Sequence, residues 1–459
     1  MSKTVLFYGN CQAQALGDLY RNQIARRRDE TVSLVFLGGE LKGQVARADV
    51  VVEQVFDSHE PIVAADLKAG AKWFRFPMVL GTFIWPFASQ AHVQNESYPF
   101  LTSGPYPAEL GDNYLNRLIG RVPFGDAITR YMELDVPAHV HLDRLYEISM
   151  ASQRERDKIS KIDVTALIEQ NFRNEPLFLT RGHPTRRIFD HIASTLFENM
   201  GIPGDDIRLA LGSYIRSPFP WDELPVHPSV IAHYGLKYLS KDYAYRYMDE
   251  GRLTFEEYVS RYLRYEWNIE LYRGIQLARR QDQGPEAALR VLEKGLAKSP
   301  QSESGLRAKC NLLFQMGRLA EAREAAASVV SVDPENPENH SLLGWVLLHL
   351  GDLALAEQTF RHAIALHPLG AKHHKALADV LSRMGRNQEA VDTVRFTVPL
   401  LPGDADIHGL LGLVLQRNSD LDAAETAFRQ AILLAPKAES YQSYLADVLA
   451  QKERDAAAA

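Results

Sequence analysis

Two residues whose chemistry suits nucleophilic catalysis lie at turns of this chain. Cys11 follows an apolar run at residues 5–7 and a Gly-Asn turn, and His183 follows a second apolar run at residues 177–180. A thiol with an imidazole as its base is the minimal activated cysteine nucleophile. The 172 residues between them are no obstacle, because such partners meet in the fold. In the simpler alternatives, Cys11 is a small buried residue at a strand end, and His183 caps the helix that follows it.

The residues around Cys11 predict a strand, a tight turn and a helix. Apolar residues recur at helical spacing after Gln12, at Leu16, Leu19 and Ile24. At the start of such a helix the free backbone N–H groups converge, and the helix dipole favours a thiolate. This geometry suits catalysis or anion binding. His183 stands at a second junction of the same predicted order, with a helix from about residue 187 to residue 200.

The N-terminal part alternates between strand-like and helix-like segments. After the first strand, further strands are predicted at residues 32–37, 49–55 and 73–79, with a short helical stretch around residues 61–69. Strands separated by helices favour a parallel, doubly wound α/β sheet. Ligands bind beyond the carboxyl ends of the strands in such sheets, where Cys11 would lie. Residues 80–125 are rich in Pro, Gly and aromatic residues, which is typical of a long functional loop.

Composition narrows the class of protein. The chain has 459 residues, a net charge of −7 and 46% hydrophobic residues, values typical of a soluble protein of two or three domains. The negative charge argues against a general nucleic-acid binder. The two cysteines, Cys11 and Cys310, stand in dissimilar contexts, so no disulfide framework is predicted and a reducing, cytoplasmic location is expected. The apolar runs are too short to predict a secretion signal or a membrane span.

The C-terminal part contains a repeat of 34 residues. Four sets of positions keep this register: Pro300, Pro334, Pro368, Pro402 and Pro436; Leu313, Leu347, Leu381 and Leu415; Ala322, Ala356, Ala390 and Ala424; Gly317, Gly351 and Gly385. The spacing matches the tetratricopeptide repeat, in which small residues let two helices pack closely and Pro ends the second. The sequence therefore predicts an all-α solenoid over residues 269–452, with a degenerate first repeat and a capping helix. A helical connector is predicted at residues 241–268 and a tail at residues 453–459.

Three motifs resemble one family. GNCQ at residues 9–12, HPT at residues 183–185 and an HP pair at residues 227–228 occur in the order found in the WcbI-type capsular polysaccharide biosynthesis family. The resemblance covers roughly residues 1–240, the predicted α/β domain. It implies a fold reminiscent of SGNH hydrolases. It also implies an acyltransferase, in the first place an acetyltransferase, with coenzyme A (CoA) as donor and a sugar of a surface polysaccharide as acceptor.

The resemblance places Cys11 and His183 at the catalytic centre. The acidic phosphates of CoA predict a basic cluster near this centre, and the residues around His183 could supply it or could be solvated helix residues. The further predicted site residues are Gly9, Asn10 and Gln12 for the motif and the oxyanion, Arg181, Thr185, Arg186 and Arg187 for CoA, and His227 as another candidate base. No metal is expected.

Several functions remain open at the level of sequence. In one hypothesis, Cys11 accepts the acyl group and His183 is the base. In the other, His183 or His227 activates a sugar hydroxyl group for direct attack on acyl-CoA, and Cys11 only shapes the pocket. With water in place of the sugar, the domain would be an SGNH-type ester or thioester hydrolase. A non-catalytic N-terminal domain would leave an adaptor that acts through its repeats. The repeats are expected to bind a protein or peptide, or to form a homo-oligomer.

Overall fold

The structure is a computed structural model that describes residues 3–57, 62–88, 90–214, 219, 222–280 and 283–458. The chain divides into a first unit, Met1–Gly305, and a repeat unit, Leu306–Ala459. Each unit contains an apolar core formed by its own residues.

Four apolar segments near the N-terminus form one sheet. Its strands are β1 (Lys3–Gly9), β2 (Glu30–Phe36), β3 (Val50–Val55) and β4 (Lys72–Pro77), in the spatial order β2-β1-β3-β4. Neighbouring strands all run parallel. Side chains of β1 alternate between two apolar clusters, with Phe7 in the main core and Leu6 in a smaller cluster on the other face. The predicted parallel sheet is therefore confirmed, and both of its faces are buried.

The other elements of the first unit are mainly helices. They are α1 (Cys11–Leu19), α2 (Lys42–Val45), α3 (Asn113–Leu118), α4 (Phe124–Met132), α5 (Val136–His139), α6 (Leu142–Ser160), α7 (Thr165–Asn171), α8 (Arg186–Asn199), α9 (Gly204–Gly212), α10 (Pro228–Tyr234), α11 (Phe255–Leu263), α12 (Ile269–Arg280) and α13 (Pro285–Lys298). Two short antiparallel pairs accompany them: β5 (Phe178–Thr180) with β6 (His183–Pro184), and β7 (Tyr245–Tyr247) with β8 (Gly251–Leu253).

Two local predictions were wrong. The predicted helix around residues 61–69 is a single 3-10 turn, Ala64–Asp66, within the described residues 62–69; residue 61 lies outside the description. His183 does not follow a strand of the main sheet at a strand–turn–helix junction. The two-residue connection at residues 181–182 folds β6 back against β5, because such short loops join antiparallel strands. His183 therefore begins the second strand of a hairpin.

The aromatic-rich segment at residues 80–125 packs largely inside the first unit. Phe83 and Tyr106 are fully buried, and Trp85 donates its indole N–H to the Leu224 carbonyl oxygen at 3.0 Å. The Phe83 ring packs edge-to-face on Phe172 with its centroid 5.4 Å away. Most of these aromatic residues therefore belong to the core, and the segment is irregular without being an exposed loop.

The segment predicted as a connector, residues 241–268, contributes to the core of the first unit. Tyr247, Tyr258 and Tyr262 are buried in the same cluster as the residues of the sheet. The hydroxyl groups of Tyr106 and Tyr247 both donate to the Glu266 carbonyl oxygen, at 2.8 and 2.9 Å. The predicted boundary at residue 240 therefore differs from the observed division at residue 305. The sequence predicts a helical connector here, whereas the segment contains β7 and β8 as well as α11, and its tyrosines pack into the core.

Paired helices form the rest of the chain. They are α14 (Glu303–Gln315), α15 (Leu319–Val332), α16 (Pro337–Leu350), α17 (Leu353–Leu366), α18 (Ala371–Arg383), α19 (Asn387–Thr397), α20 (Ala405–Arg417), α21 (Leu421–Leu434) and α22 (Glu439–Ala458). A Cβ atom on Gly344 would lie 2.8 Å from the Phe360 ring, which explains why a small residue is needed there. The segment predicted as a tail from residue 453 is helical to residue 458, as part of α22.

One side-chain hydrogen bond recurs in successive repeats. The ring Nε2 atoms of three histidines donate to a proline carbonyl oxygen six positions earlier, and a glutamine amide does the same in the last repeat. The pairs are His340–Pro334 at 2.7 Å, His374–Pro368 at 2.8 Å, His408–Pro402 at 3.1 Å and Gln442–Pro436 at 3.2 Å. Each bond satisfies a carbonyl group in the turn where the preceding helix has ended.

Candidate active site

Gly9 and Asn10 shape the junction between β1 and α1. A Cβ atom on Gly9, whose φ is +155°, would lie 2.5 Å from Gln54 Oε1, so only glycine allows β3 to approach so closely. The Asn10 backbone N–H donates to the same Gln54 oxygen at 2.9 Å. Asn10 caps α1, because its Oδ1 atom accepts a bond from the Gln12 backbone N–H at 2.8 Å. Cys11 is thereby fixed as the first residue of α1.

Gln12 is buried and connects three parts of the fold. Its Nε2 atom donates to the Val79 carbonyl oxygen at 2.8 Å and to the Gly182 carbonyl oxygen at 2.9 Å. Its Oε1 atom accepts bonds from Gln54 Nε2 at 3.0 Å and from the Val79 backbone N–H at 3.2 Å. The bond to Gly182 holds the turn of the β5–β6 hairpin against the start of α1. The structure thus brings the segment that carries His183 beside the segment that carries Cys11.

The Cys11 thiol is half-buried and free of any disulfide. Burial raises its pKa, and the negative charge of Glu109 raises it further, whereas backbone N–H groups of Gln12 and Cys11 lower it. The net direction is opposite to the one expected from the helix N-terminus alone. Desolvation outweighs the stabilisation of a thiolate by the N–H groups, so the resting sulfur is a thiol.

The His183 imidazole is half-buried, and its Nδ1 atom is buried without a hydrogen-bond partner among the described residues. Its ring stacks on Phe219, with 5.3 Å between centroids and 12° between planes. Burial lowers the pKa of His183, although the charge of Glu109 acts in the opposite direction. A neutral imidazole with an unused ring nitrogen has the form of a general base.

Glu109 is a site residue that the sequence analysis missed. Its carboxylate raises the pKa of both the Cys11 thiol and the His183 imidazole. It therefore lies within electrostatic reach of both groups. Glu109 stands in the irregular segment before α3, and no motif in the sequence distinguishes it from other exposed acidic residues.

The four residues predicted to bind CoA phosphates differ in their availability. Arg186 is engaged with Asp190 at 2.9 Å and with the carbonyl oxygens of Tyr214 and Leu211 at 2.7 Å, so it joins α8 to α9. The guanidinium group of Arg187 is more than half exposed, with an ion pair to Glu175 at 3.5 Å.

Arg181 and Thr185 flank His183 on its two sides. Arg181 makes one long bond from its guanidinium group, to the Ala88 carbonyl oxygen at 3.4 Å. Thr185 is the N-cap residue of α8, but its hydroxyl group donates to the Pro176 carbonyl oxygen at 3.0 Å. Of the three arginines near His183, Arg181 and Arg187 make fewer or longer contacts with the protein than Arg186 does.

His227 has both ring nitrogens engaged. Its Nε2 atom donates to the Tyr131 carbonyl oxygen at 2.8 Å, and its Nδ1 atom accepts a bond from the Ser229 backbone N–H at 3.2 Å. The ring caps α10 and is buried, and burial lowers its pKa. The structure gives this candidate base a capping function, and it leaves neither nitrogen open for proton transfer.

The comparison with protein families matches the motifs. Residues 4–205 match the model of WcbI, described as a polysaccharide biosynthesis enzyme. These residues, less than half of the chain, form a domain that is similar to WcbI. This domain contains the GNCQ motif, Glu109 and His183, and it supports an enzymatic role in polysaccharide biosynthesis. No curated protein is significantly similar to the chain.

The repeats that follow the WcbI domain match a second family. Residues 307–371 and 410–459 match the tetratricopeptide repeat, which confirms the predicted solenoid. The repeat architecture is one that proteins use to bind protein or peptide partners.

Several solved structures resemble part of the chain. A structure of MamA protein is 22% identical and covers 38% of this chain and 93% of its own, with a TM-score of 0.33. A thermophilic TPR protein of Thermus thermophilus, TTC0263, is 21% identical and covers 39% of this chain and 97% of its own, with a TM-score of 0.34. At such TM-scores the likeness supports no conclusion about function or assembly.

Two further features of the described residues concern ligands and membranes. Their His, Cys, Asp and Glu side chains form no group of three or more that could hold a metal ion. Within the described ranges, every helix is too short or too polar to cross a membrane.

Proposed function

We propose that the WcbI domain transfers an acyl group, acetyl in the first place, from CoA to a hydroxyl group of a polysaccharide sugar. The observation that carries this proposal is the Gln12 side chain, which holds the turn beside His183 against the helix that begins with Cys11. A half-buried thiol and an imidazole with an unused nitrogen are the groups that acyl transfer needs. The SGNH-like fold implied by the motifs, in which the nucleophile follows the first strand, belongs to the same proposal.

The pKa directions favour a neutral resting pair. The thiol has a raised pKa and the imidazole a lowered one, so the proton stays on sulfur until the substrate arrives. In the covalent route, Cys11 Sγ attacks the thioester carbonyl carbon while its proton moves to His183. The bond to the CoA sulfur breaks, and that sulfur takes the proton from His183. The sugar hydroxyl group then attacks the acyl-cysteine, and its proton passes through His183 back to Cys11.

The direct route uses the same residues without an acyl-enzyme. His183 removes the proton of the sugar hydroxyl group, whose oxygen attacks the carbonyl carbon of acyl-CoA. The bond to the CoA sulfur breaks, and that sulfur takes the proton from His183, while Cys11 borders the reacting carbonyl group. In both routes we assign the oxyanion to the first turn of α1, with the Cys11 backbone N–H and Asn10 Nδ2 as its proposed donors. The Asn10 and Gln12 backbone N–H groups already donate to Gln54 and Asn10.

The donor substrate would meet Arg181 and Arg187. CoA phosphates are anions, and the N-terminus of α8 adds the positive end of a helix dipole. Arg186 is excluded from this function because its guanidinium group is already engaged with Asp190 of its own helix and with the carbonyl oxygens of Leu211 and Tyr214. For the repeat unit, we propose a protein or peptide partner or a second copy of the chain, and for the protein a cytoplasmic location, where acyl-CoA is made.

The test combines binding and turnover. Calorimetry with acetyl-CoA should show micromolar binding to the wild type and weaker binding to the double variant Arg181→Ala/Arg187→Ala.

Turnover is measured as release of the CoA thiol in the presence of methyl hexopyranosides, and it should be lost in His183→Ala. Cys11→Ala abolishes turnover if the covalent route operates and leaves substantial turnover in the direct route. Cys310→Ala, a change in the repeat unit, is the matched cysteine control and should keep full activity.

The remaining outcomes would contradict the proposal. If CoA is released at the same rate without a sugar, the domain is a thioester hydrolase. If neither CoA nor acetyl-CoA binds, the donor assignment fails, and the protein acts as an adaptor through its repeats.

A further inference from the structure

A pocket with no assigned ligand lies beside the GNCQ motif. It has a volume of about 140 Å³ and opens between the carboxyl ends of β1 and β2 and the first turns of α1. Its apolar lining includes Phe7 and Leu34, and its polar lining includes Asn10 and Gln14. Ligands of parallel sheets bind at this edge, beyond the carboxyl ends of the strands.

Two side chains of the pocket are placed as ligand contacts would be. Phe36 lines the pocket and is 55% exposed, so much of its ring is open to a ligand. Gln14 also lines it, and its amide group is exposed with no hydrogen-bond partner among the described residues. Much of the Phe36 ring and the Gln14 amide group are therefore available to a ligand.

The lining selects a neutral, hydroxyl-bearing ligand. The described residues that form the wall include no Asp, Glu, Lys or Arg, so no cationic side chain there would pair with the phosphates of a nucleotide. An amide group both donates and accepts hydrogen bonds, as hydroxyl groups require. An exposed phenyl ring can cover the C–H face of a sugar ring, and the volume suits one ring and not a nucleotide.

We propose that this pocket binds the acceptor sugar as a single neutral hexose ring between Phe36 and Gln14. This inference rests on the proposed function, because it identifies where the second substrate of that reaction binds. Asn10 borders the pocket and directly precedes Cys11. Gln14 is three positions after Cys11 in α1, so the two side chains leave the helix on neighbouring faces. The pocket thus borders the turn that carries Cys11, although Cys11 itself is not part of its lining.

The experiment is saturation-transfer NMR of the full chain with methyl α-D-glucopyranoside, methyl α-D-galactopyranoside and methyl α-D-mannopyranoside, and with glucuronate as the charged comparison. At least one neutral hexoside should receive saturation from the wild type. The signal should fall at least five-fold in Phe36→Ala and in Gln14→Leu. Leu37→Ala removes the adjacent, partly exposed apolar side chain outside the pocket and should leave the signal unchanged. Because Phe36 and Gln14 are exposed, Phe36→Ala and Gln14→Leu should each leave the far-ultraviolet circular dichroism spectrum unaltered.

Three results would overturn the inference: no transfer to any neutral hexoside, transfer to glucuronate alone, or equal transfer in the wild type and Phe36→Ala. Calorimetry with acetyl-CoA separates this failure from failure of the proposed function. If acetyl-CoA does not bind but Phe36→Ala abolishes hexoside binding, the sugar pocket stands and the acyl-transfer proposal fails. If acetyl-CoA binds and the hexosides do not, the pocket assignment alone fails.

Discussion

At the scale of residues, the four residues of the GNCQ motif have different functions in the fold. Gly9 allows β3 to come close, Asn10 caps α1 and Gln12 ties three segments together. Cys11 packs against the main core, but it is the member that neither caps a helix nor bonds distant segments together. The proposed chemistry therefore falls to Cys11, and the other three residues hold it in place.

Replacement of Gln12 by leucine should destabilise the first unit. The change removes four hydrogen bonds and leaves the buried carbonyl groups of Val79 and Gly182 without this donor. At about 1 kcal/mol or more for each unsatisfied buried group, the free energy of unfolding should fall by about 3 kcal/mol. Urea denaturation measures the change. Gln14→Leu, an exposed glutamine in the same helix, is the control, and an equal loss in both variants would contradict the bridging function.

Glu109→Gln should lower the pKa of both Cys11 and His183. The glutamate charge raises both values, so its removal shifts both downward. The rate of Cys11 alkylation by iodoacetamide should therefore reach its half-maximum at a lower pH, and the acidic limb of any activity profile should move the same way. Glu147→Gln, which removes an exposed acid on α6, should leave the alkylation profile unchanged. An unchanged profile in Glu109→Gln would place this carboxylate outside the site.

At the scale of elements, helix pairing in the repeat unit depends on buried polar groups as well as on small residues. His373 in α18 is fully buried, and its Nδ1 atom forms a hydrogen bond with Ser341 Oγ of α16 at 2.5 Å. Burial lowers its pKa to about 4, although Glu338, 3.6 Å from its Nε2 atom, acts in the opposite direction. The desolvation of the imidazolium form is therefore the larger effect.

The repeat unit should lose stability as the pH falls from about 6.5 towards 4. In this interval the unfolded chain binds a proton at His373 that the folded chain does not, so acid favours unfolding. A difference from 6.5 to about 4 corresponds to roughly 3 kcal/mol at the acidic end. Thermal unfolding of the full chain followed at several pH values measures it. His373→Gln should flatten this slope relative to the wild type, and His408→Gln, at a partly exposed ring that bonds a proline carbonyl oxygen, should not.

At the scale of the whole molecule, the chain joins a WcbI domain to a tetratricopeptide solenoid. The first unit extends to Gly305, well beyond the WcbI match at residue 205. The tyrosines of β7 and α11 complete its core. The catalytic proposal concerns the first unit, and partner binding concerns the repeats.

A protein truncated after residue 240 should fold poorly, whereas one truncated after residue 305 should fold. The shorter protein lacks Tyr247, Tyr258 and Tyr262 and would expose the core that they cover. Burial of one large side chain contributes roughly 1.5–3 kcal/mol, so loss of three is comparable to the stability of a domain. Near-ultraviolet circular dichroism and binding of a hydrophobic dye distinguish the two proteins. Native-like spectra from the shorter protein would contradict this expectation and would support the domain boundary predicted at residue 240.

The sequence alone determined those features that depend on local pattern. The strand and helix around Cys11 follow from an apolar run, a Gly-Asn turn and helical spacing, and the repeats follow from a 34-residue period. The motifs also identified the WcbI domain. These signals lie within a few residues of one another or recur at fixed intervals, so no knowledge of distant contacts is needed.

Only the tertiary structure decided which side chains the fold already uses. Gln12, Arg186 and His227 resemble site residues in the sequence, but each is engaged by groups far away in the chain. Glu109 and the pocket at Phe36 carry no local signal at all. Desolvation likewise reverses the expected pKa of Cys11, because burial depends on segments that pack over the helix start. Hydrogen-bond satisfaction and burial are properties of the assembled core, and a linear pattern does not contain them.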